Sequence, residues 1–284
     1  MTRIVRTRAE LRDALAGIDR PIGLIPTMGW LHDGHRALIG RARSADATTV
    51  VTIFVNPRQF NVAQDYTKYP RDEARDLAIC EGEGVDVVFA PETSEVYPPG
   101  FDTTVVVGAV AQPLEGAARP GHFDGVATVV AILFGLVGAD HAYFGQKDAQ
   151  QVMVIRQMAR DLAIPTQVTA CPTVREPDGL ALSSRNVHLT PAERGAAPVL
   201  RRALLSARQR WAAGERSTER LRDAMWMHLN AEPLAVVEYV SVADGATLQE
   251  LDRVDGPALL SLAVRFGSTR LIDNEPLGDG PATT

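Results

Sequence analysis

The chain has 284 residues, of which 45% are hydrophobic and 23% are charged. These proportions are ordinary for a globular protein and argue against a disordered or fibrous chain. The formal net charge is −6, from 29 basic and 35 acidic side chains, so broad binding to nucleic acid is not expected. The first residues contain no apolar signal region, and the longest apolar stretch, residues 125–139, is too short to span a membrane. We therefore expect a cytoplasmic protein that binds neither nucleic acid nor a membrane.

The two cysteines, Cys80 and Cys171, lie far apart in the sequence. Two distant thiols match no zinc-binding spacing and give no disulfide framework. We expect both to be reduced side chains that pack in the interior.

The first part of the chain alternates apolar runs rich in β-branched residues with amphipathic segments. The predicted strands are residues 22–26, 48–55, 85–90, 105–107, 141–144 and 166–174. The predicted helices are residues 11–18, 34–44, 72–83, 123–137 and 148–162. Strands separated by such helices form βαβ units, so the predicted fold class is α/β, with a Rossmann-like parallel sheet and helices on both faces. The site is expected in the crevice at the carboxyl ends of the strands.

The pattern changes near residue 175, where we place a domain boundary at 174/175. Thr190 and Glu193 form a capping box that opens a helix, predicted to run towards Gly214, and Ser217 opens another. Residues 236–242 and 259–264 are predicted to be paired strands, with a turn at Gly267 and Ser268, and residues 278–284 are predicted to be disordered. Residues 175–284 therefore form a smaller α+β domain, expected to cover the site.

Residues 26–35, Pro-Thr-Met-Gly-Trp-Leu-His-Asp-Gly-His, follow the first apolar strand and precede a helix. The N-terminus of a helix binds anions through its free N–H groups and its dipole. His32 and His35 can both approach one phosphate chain there, and Gly34 permits close contact with the backbone. The alternatives are a surface loop with two incidental histidines and a zinc site, for which no third ligand is evident.

Amides and basic side chains follow later strands. Gln59, in Asn-Pro-Arg-Gln-Phe at 56–60, suits a hydroxy acid because an amide both donates and accepts hydrogen bonds. Lys147 stands at a predicted helix N-terminus that is capped by Asp148, and Gln151 heads an apolar stripe in that helix. Arg119, in a turn before the helix at 123–137, is available for an anion. A simple turn is the alternative for the Gln59 and Arg119 segments, and an exposed first helical turn is the alternative for the Lys147 segment.

The run Ser183-Ser184-Arg185 combines two hydroxyl groups with a guanidinium group, a plausible phosphate cradle. Taken by itself, an ordinary polar loop is the better explanation of this run.

Together these five segments resemble the pantothenate synthetases, which belong to the nucleotidyltransferase superfamily marked by the His-x-Gly-His loop. The resemblance covers residues 22–195 and resumes at residues 270–274. It implies that ATP, accompanied by Mg²⁺, activates pantoate as an adenylate and that β-alanine then displaces AMP. It also implies a homodimer, with ATP, pantoate and β-alanine as the small-molecule partners.

The resemblance also implies roles for individual residues. His35, His32 and Lys147 correspond to the catalytic residues, Gln59 and Gln151 to the pantoate ligands, and Gln59 to a β-alanine ligand, while no residue is assigned to a metal. The residues that correspond to ATP-binding positions are Met28, Gly29, His32, Gly34, His35, Gly145, Gln146, Lys147, Asp148, Val174, Leu182, Ser183, Ser184 and Arg185. Gln146 stands where relatives commonly have Glu, and Arg119 is given a supporting role.

Two other functions remain open. The first is another small-acid adenylating enzyme of the same superfamily, such as an aminoacyl-tRNA synthetase or a cofactor adenylyltransferase. The short acidic chain argues against a synthetase, and the Asn56–Phe60 loop favours pantoate. The second is a nucleotide-binding regulator without catalysis, which would be expected to lose the charged catalytic residues. His32, His35, Lys147 and Arg185 are all present.

Overall fold

The computed structural model describes residues 1–61 and 63–278. The predicted disorder at 278–284 falls, from residue 279 onwards, outside the described residues. The chain divides into two compact units: residues 1–145 with 150–171, and residues 146–149 with 172–284.

The strands are β1 Arg3–Val5, β2 Ile22–Thr27, β3 Thr48–Ile53, β4 Val87–Phe89, β5 His141–Gly145, β6 Gln167–Cys171, β7 Val236–Asp244, β8 Ala258–Phe266 and β9 Thr269–Leu277. The α-helices are α1 Arg8–Leu15, α2 Asp33–Ala45, α3 Ala63–Lys68, α4 Glu73–Gly82, α5 Thr93–Val96, α6 Glu115–Ala118, α7 His122–Val137, α8 Ala149–Asp161, α9 Pro191–Ala196, α10 Val199–Ala212 and α11 Thr218–Asn230. Short 3₁₀ helices cover Pro57–Gln59, Ala109–Ala111, Gln146–Asp148 and Ser184–His188.

The first unit is built on a six-stranded parallel sheet in the order β1-β4-β3-β2-β5-β6. Ile25 and Val51 on neighbouring strands pack against Ile39 of α2 on one face of the sheet. The alternate residues Leu24 and Val50 are also fully buried, as expected for a parallel sheet covered on both faces. From β2 the chain adds β3 and then β4 on one side, and it later adds β5 and β6 on the other side, so the strand order reverses between β2 and β5.

The second unit contains a three-stranded antiparallel sheet, β7-β8-β9, whose apolar residues pack against α10 and α11. Leu204 of α10, Met225 of α11 and Leu262 of β8 are all inaccessible to solvent in this core. A parallel sheet with helices and a smaller α+β unit is the fold class predicted from the sequence, and that prediction is confirmed.

Three details of the sequence prediction were wrong. Residues 105–107 form no strand, because the Val105 N–H donates to Thr128 Oγ1 of α7 at 2.9 Å rather than to a neighbouring strand. The helix predicted from Thr190 towards Gly214 is two helices, α9 and α10, separated at Pro198, which has no N–H to continue the first. The helix predicted to begin at Asp148 begins one residue later, at Ala149, because Asp148 ends a 3₁₀ helix.

Several other local predictions are confirmed. The Thr190–Glu193 capping box is formed, and Ser217 caps α11. Cys80 and Cys171 are both buried free thiols. Within residues 1–61 and 63–278, none of the helices has the length and apolar character required to cross a membrane.

Candidate functional site

The loop between β2 and α2 fixes both histidines of the His-x-Gly-His segment through their Nδ1 atoms. The Gly34 N–H donates to His32 Nδ1 at 3.1 Å, and the His32 N–H donates to His35 Nδ1 at 3.2 Å. The ring centroids lie 4.2 Å apart. Because a backbone N–H can only donate, each Nδ1 is an acceptor, and the proton of each neutral ring lies on Nε2. The two rings therefore present Nε2–H donors at the start of a 13-residue helix.

Asp76 of α4 forms hydrogen bonds to the backbone of the same loop. Its carboxylate accepts hydrogen bonds from the N–H groups of Trp30 and Leu31, both at 2.7 Å, and the side chain is almost wholly buried. Burial raises the pKa of Asp76, and the two N–H donors oppose that shift. Gly29 has φ +78°, and a Cβ there would lie 2.8 Å from Asp76 Oδ2, so the loop needs glycine at this position.

Gln59 lies in the short 3₁₀ helix after β3, and its side chain belongs to a chain of hydrogen bonds. Tyr97 OH donates to Asn56 Oδ1 at 2.7 Å, and Asn56 Nδ2 donates to Gln59 Oε1 at 3.0 Å. Gln59 Nε2 then donates to Met28 Sδ at 3.1 Å. These hydrogen bonds join Gln59 to the segment that follows β2. In that segment, Met28 and Gly29 were predicted to bind ATP.

The backbone of Gln59 is held by the segment around Arg119. The Gln59 carbonyl accepts from Arg119 Nη2 at 3.1 Å and from His122 Nδ1 at 2.9 Å. His122 Nδ1 must be a donor, so its neutral ring accepts from Arg119 Nη1 through Nε2, at 3.1 Å. The supporting role given to Arg119 therefore has a physical basis in the position of Gln59.

Helix α7 approaches the Gln59 segment so closely that only glycine fits at position 125. A Cβ on Gly125 would lie 2.2 Å from Arg58 O and 2.8 Å from Gln59 N. The Gly125 carbonyl also accepts from Asn56 Nδ2 at 3.0 Å. The only signal for this contact in the sequence is the glycine itself, and Gly135 of the same helix carries the same signal without such a contact.

Gly145 ends β5, and Thr27 ends β2, the two strands between which the order of the parallel sheet reverses. In open α/β sheets, ligands bind outside the carboxyl ends of the strands at such a point. The predicted positions Met28, Gly29 and Gly145 lie at these ends.

In the second unit, β9 holds the segment that carries Lys147. Asn274 Nδ2 donates to the carbonyls of Gln146 and Lys147 at 2.9 and 2.8 Å, and Gln146 Nε2 donates to Asn274 Oδ1 at 3.2 Å. Lys147 Nζ lies 3.3 Å from Asp148 Oδ1. The Gln146 side chain thus bonds to Asn274, and the amide of Asn274 fixes the backbone of Gln146 and Lys147.

The Ser-Ser-Arg segment also lies in the second unit. Ser183 Oγ accepts from the Arg185 N–H at 3.3 Å and caps the 3₁₀ helix of Ser184 and Arg185. The Leu182 N–H donates to Val174 O at 3.0 Å, which joins the two ends of this loop.

A bidentate ion pair supports the start of that loop. Arg175 contacts Asp273 of β9 through Nη1 at 2.6 Å and Nη2 at 2.9 Å. Asp273 and Asn274 lie side by side on β9, so one strand holds both the 146–147 and the 175 segments. The sequence resemblance included both β9 residues but gave neither a role.

In α8, the buried glutamine is Gln150 rather than the half-buried Gln151. Gln150 Oε1 accepts from the Glu115 N–H at 3.0 Å, and its Nε2 donates to the carbonyls of Val110 and Pro113. Helical spacing puts Ile155, Met158 and Leu162 on the predicted stripe with Gln151; the first two are buried, whereas Leu162 is 53% exposed. Helical spacing did not indicate the buried amide of Gln150, and the role of Gln151 as a ligand stays a prediction.

The comparisons with known proteins agree on one family. The sequence model of the family described as "Pantoate-beta-alanine ligase" matches residues 3–276. The chain belongs to this family. A pantothenate synthetase of Roseiflexus sp. (strain RS-1) is 59% identical over 272 residues, which cover 96% of this chain and 98% of the relative.

Solved structures agree with the fold. Pantothenate synthetase from Thermus thermophilus superimposes with a TM-score of 0.92 and 48% identity, covering 96% of this chain and 98% of that chain. Pantoate-beta-alanine ligase from Francisella tularensis, solved with Beta-gamma ATP and Beta-alanine, gives a TM-score of 0.78 and 34% identity over 97% of each chain. The predicted resemblance, and with it the prediction of a pantoate–β-alanine ligase, is confirmed.

Proposed function

We propose that the chain condenses (R)-pantoate with β-alanine in two steps, with ATP as the activating substrate. A carboxylate oxygen of pantoate attacks the α-phosphorus of ATP, the bond to the β-phosphate oxygen breaks, and pyrophosphate leaves. The uncharged amine of β-alanine then attacks the acyl carbon of pantoyl adenylate. AMP leaves with the bonding electron pair, and the nitrogen loses a proton. Family membership over nearly the whole chain is the observation that carries this proposal.

His32 and His35 stabilise the charge that develops on the phosphates. Their Nδ1 atoms accept backbone N–H groups, which makes each Nε2–H a donor suited to a phosphate oxygen. The positive end of α2 adds to this effect because the free N–H groups of a helix N-terminus favour anions. These donors are held in place before the reaction, and such preorganised donors stabilise a transition state more than mobile ones.

Lys147, Ser183, Ser184 and Arg185 supply further positive charge and hydrogen-bond donors to the phosphates. Each is attached to a segment fixed in its own unit, Lys147 through Asn274 and the serines through the capped 3₁₀ helix. The remaining nucleotide contacts proposed are Met28, Gly29, Gly34, Gly145, Gln146, Asp148, Val174 and Leu182. For Gln146, whose amide is bound to Asn274, the contact proposed is through the main chain.

Gln59 and Gln151 bind pantoate, and Gln59 also contacts β-alanine. An uncharged amide can donate to a carboxylate and both donate to and accept from hydroxyl groups. Gln59 is only 8% exposed and its amide is already oriented by Asn56, so little rotamer freedom is lost when the acid binds.

Magnesium enters with the triphosphate. Mg²⁺ keeps several water ligands and is usually bound by one or two carboxylates together with substrate phosphates. Groups of three or more His, Cys, Asp or Glu suited to a metal are absent from the part of the chain that the structure describes. The ion is assigned to ATP, where it neutralises phosphate charge, and no protein ligand is named.

The remaining assignments rest on the sequence. Residues 1–174 form the Rossmann-like domain that binds the nucleotide and pantoate, and residues 175–284 form the smaller domain that carries Ser183, Ser184 and Arg185. The protein acts in the cytoplasm as a homodimer.

Two assays test the proposal. The first follows ATP–pyrophosphate exchange with pantoate, with other hydroxy acids and with amino acids, all in the absence of β-alanine. Exchange that requires pantoate is expected, whereas exchange with an amino acid would favour another adenylating enzyme. The second follows AMP release with ATP, Mg²⁺ and β-alanine, with and without pantoate; release without pantoate would contradict the proposal.

A further inference from the structure

We infer that Tyr97 is a positioning residue for the acid site, which sets the orientation of the Gln59 amide through Asn56. This inference rests on the proposed function, since Gln59 is the residue assigned to pantoate. Tyr97 lies 38 residues after Gln59, directly behind α5, and no motif of the sequence pointed to it.

Two backbone groups, one a donor and one an acceptor, exclude the flipped orientation of the Asn56 amide. The Arg58 N–H, which can only donate, points at one Asn56 side-chain atom at 3.2 Å, and the Gly125 carbonyl, which can only accept, lies 3.0 Å from the other. The first atom must be Oδ1 and the second Nδ2. Tyr97 OH lies 2.7 Å from Oδ1 and must therefore donate its proton to that oxygen.

The same reasoning extends to Gln59. Its side-chain atom nearest to Asn56 lies 3.0 Å from Nδ2, a donor, and must be the carbonyl oxygen Oε1. The NH₂ group is then directed the other way, where it meets Met28 Sδ at 3.1 Å. A thioether is a weak acceptor, so a carboxylate or hydroxyl oxygen of a bound acid is a better partner for this NH₂ group. The direction of these hydrogen bonds thus makes the NH₂ group of Gln59 a donor towards the acid.

Tyr97 stabilises this arrangement in two ways. Its ring packs against the rings of Phe54 and Phe101, with centroids 6.1 and 5.1 Å away, and the Arg58 guanidinium lies 5.4 Å from its centroid. Burial raises the pKa of Tyr97, so the hydroxyl group keeps the proton that it donates. The hydroxyl is the only part of this side chain that bonds directly to the Asn56–Gln59 chain.

The test is a double-mutant cycle of Tyr97→Phe and Gln59→Ala, read as the dissociation constant of pantoate and as the KM for pantoate and for ATP. Phenylalanine keeps the ring and removes the donor. Tyr97→Phe is expected to weaken pantoate binding by about fivefold to tenfold, with the KM for ATP changed by less than about twofold, since one net hydrogen bond is involved. In the Gln59→Ala background, Tyr97→Phe is expected to have no further effect.

The matched control is Tyr143→Phe, which removes a hydroxyl that donates to Asp46 Oδ2 at 2.6 Å in the same unit. This variant is expected to lower the melting temperature at least as much as Tyr97→Phe, because it leaves a buried carboxylate with one donor fewer. Its pantoate constant is expected to be unchanged. The control separates loss of stability from loss of orientation.

Several results would overturn the inference. Pantoate binding could be unchanged in Tyr97→Phe, or both substrates could be affected alike. Alternatively, the effect of Tyr97→Phe could persist in full without the Gln59 amide. If Gln59→Ala alone binds pantoate normally while the wild type converts pantoate, the acid site is misplaced and the role of Tyr97 fails with it, but the overall reaction stands. If the wild type does not use pantoate at all, the proposed function itself is wrong.

Discussion

The carboxylate of Asp76 accepts the N–H of Leu31, the residue directly before His32, at 2.7 Å. Its other oxygen accepts the N–H of Trp30, a non-glycine residue with φ +50°. A conformation of this kind persists only when its surroundings impose it. A buried carboxylate, whose raised pKa reflects the cost of burial, is thus placed where it imposes the conformation of the His-x-Gly-His loop.

We expect Asp76→Asn to slow adenylation by about 10- to 100-fold, because one of the two N–H groups then faces the amide NH₂ and the loop shifts. Single-turnover formation of AMP from ATP and pantoate measures this rate. The matched control is Asp46→Asn, which alters a buried carboxylate that accepts hydrogen bonds from His141 and Tyr143. The control should lose thermal stability and keep the adenylation rate of the molecules that remain folded. Equal adenylation rates in the two variants would contradict the role given to Asp76.

His35→Ala and Lys147→Ala are each expected to slow adenylation far more than the transfer to β-alanine. Both side chains are assigned to phosphate charge, and the loss of one such donor costs on the order of 10²–10³ in rate. Single-turnover assays that start either from ATP or from preformed pantoyl adenylate separate the two steps. A variant that forms the adenylate at a nearly normal rate would exclude that residue from the mechanism.

Gly125→Ala is expected to impair pantoate binding without any change in a proposed ligand. The added Cβ would meet Arg58 O at 2.2 Å, so either α7 or the Gln59 segment must move. We expect the KM for pantoate to rise by about tenfold or more, together with a loss of stability of about 1–3 kcal/mol, the usual cost of overpacking.

Gly135→Ala in the same helix provides the comparison, since a Cβ there meets nothing within 4 Å. This variant should keep the wild-type KM. A normal pantoate constant in Gly125→Ala would show that the Gln59 segment tolerates displacement.

Much of the first unit could be predicted from the sequence because its signals are local. The apolar runs of β2 and β3, and the glycine and proline signals that end them, placed the His-x-Gly-His loop and the Gln59 loop at the carboxyl ends of strands. The supports of these loops could not be predicted. Asp76 and Tyr97 lie 41 and 38 residues after His35 and Gln59, on elements whose spatial position only the folded chain reveals.

At α8, helical spacing correctly places Ile155 and Met158 in the interior but gives no sign of the buried Gln150. The three partners of the Gln150 amide lie on a segment without regular periodicity, around residues 110–115. Likewise, the clamp of Asn274 on the Lys147 segment joins residues 127 positions apart, a distance over which local patterns carry no information.

Gln59→Glu and Gln151→Glu are expected to raise the KM for pantoate by at least tenfold. The new carboxylate keeps nearly the same size but repels the carboxylate of the acid, and two like charges about 4 Å apart repel by roughly 4 kcal/mol at an effective dielectric constant near 20. Relaxation and water reduce this value. The KM for ATP should change much less. A purely structural effect would instead lower the melting temperature and change the KM for pantoate and for ATP alike. Normal pantoate constants in both variants would place the acid pocket elsewhere.

Asp76 and Glu238 are expected to give opposite pH dependences of stability. Burial raises the folded-state pKa of Asp76, so its contribution to the free energy of unfolding is fully present below the ordinary value of 3.8 and is lost as the pH rises through the raised pKa. For Glu238, burial alone would raise the pKa, but the hydrogen bonds and charges of Arg270 and Arg265 outweigh it and lower the pKa. Its contribution is present above the ordinary value of 4.5 and is lost as the pH falls through the lowered pKa.

Melting temperatures of the wild type, Asp76→Asn and Glu238→Gln, measured between about pH 3 and pH 7, decide the signs, since each substitution removes one titrating group. The wild type should lose stability relative to Asp76→Asn as the pH rises over this range. Relative to Glu238→Gln, it should gain stability over the same range. Added salt should reduce the difference between the wild type and Glu238→Gln, because the Glu238 side chain is 23% exposed and its ion pairs are screened. Salt should change the difference between the wild type and Asp76→Asn less, because the Asp76 carboxylate is buried. Two differences of the same sign would mean that the environment of at least one of these carboxylates is not the one described.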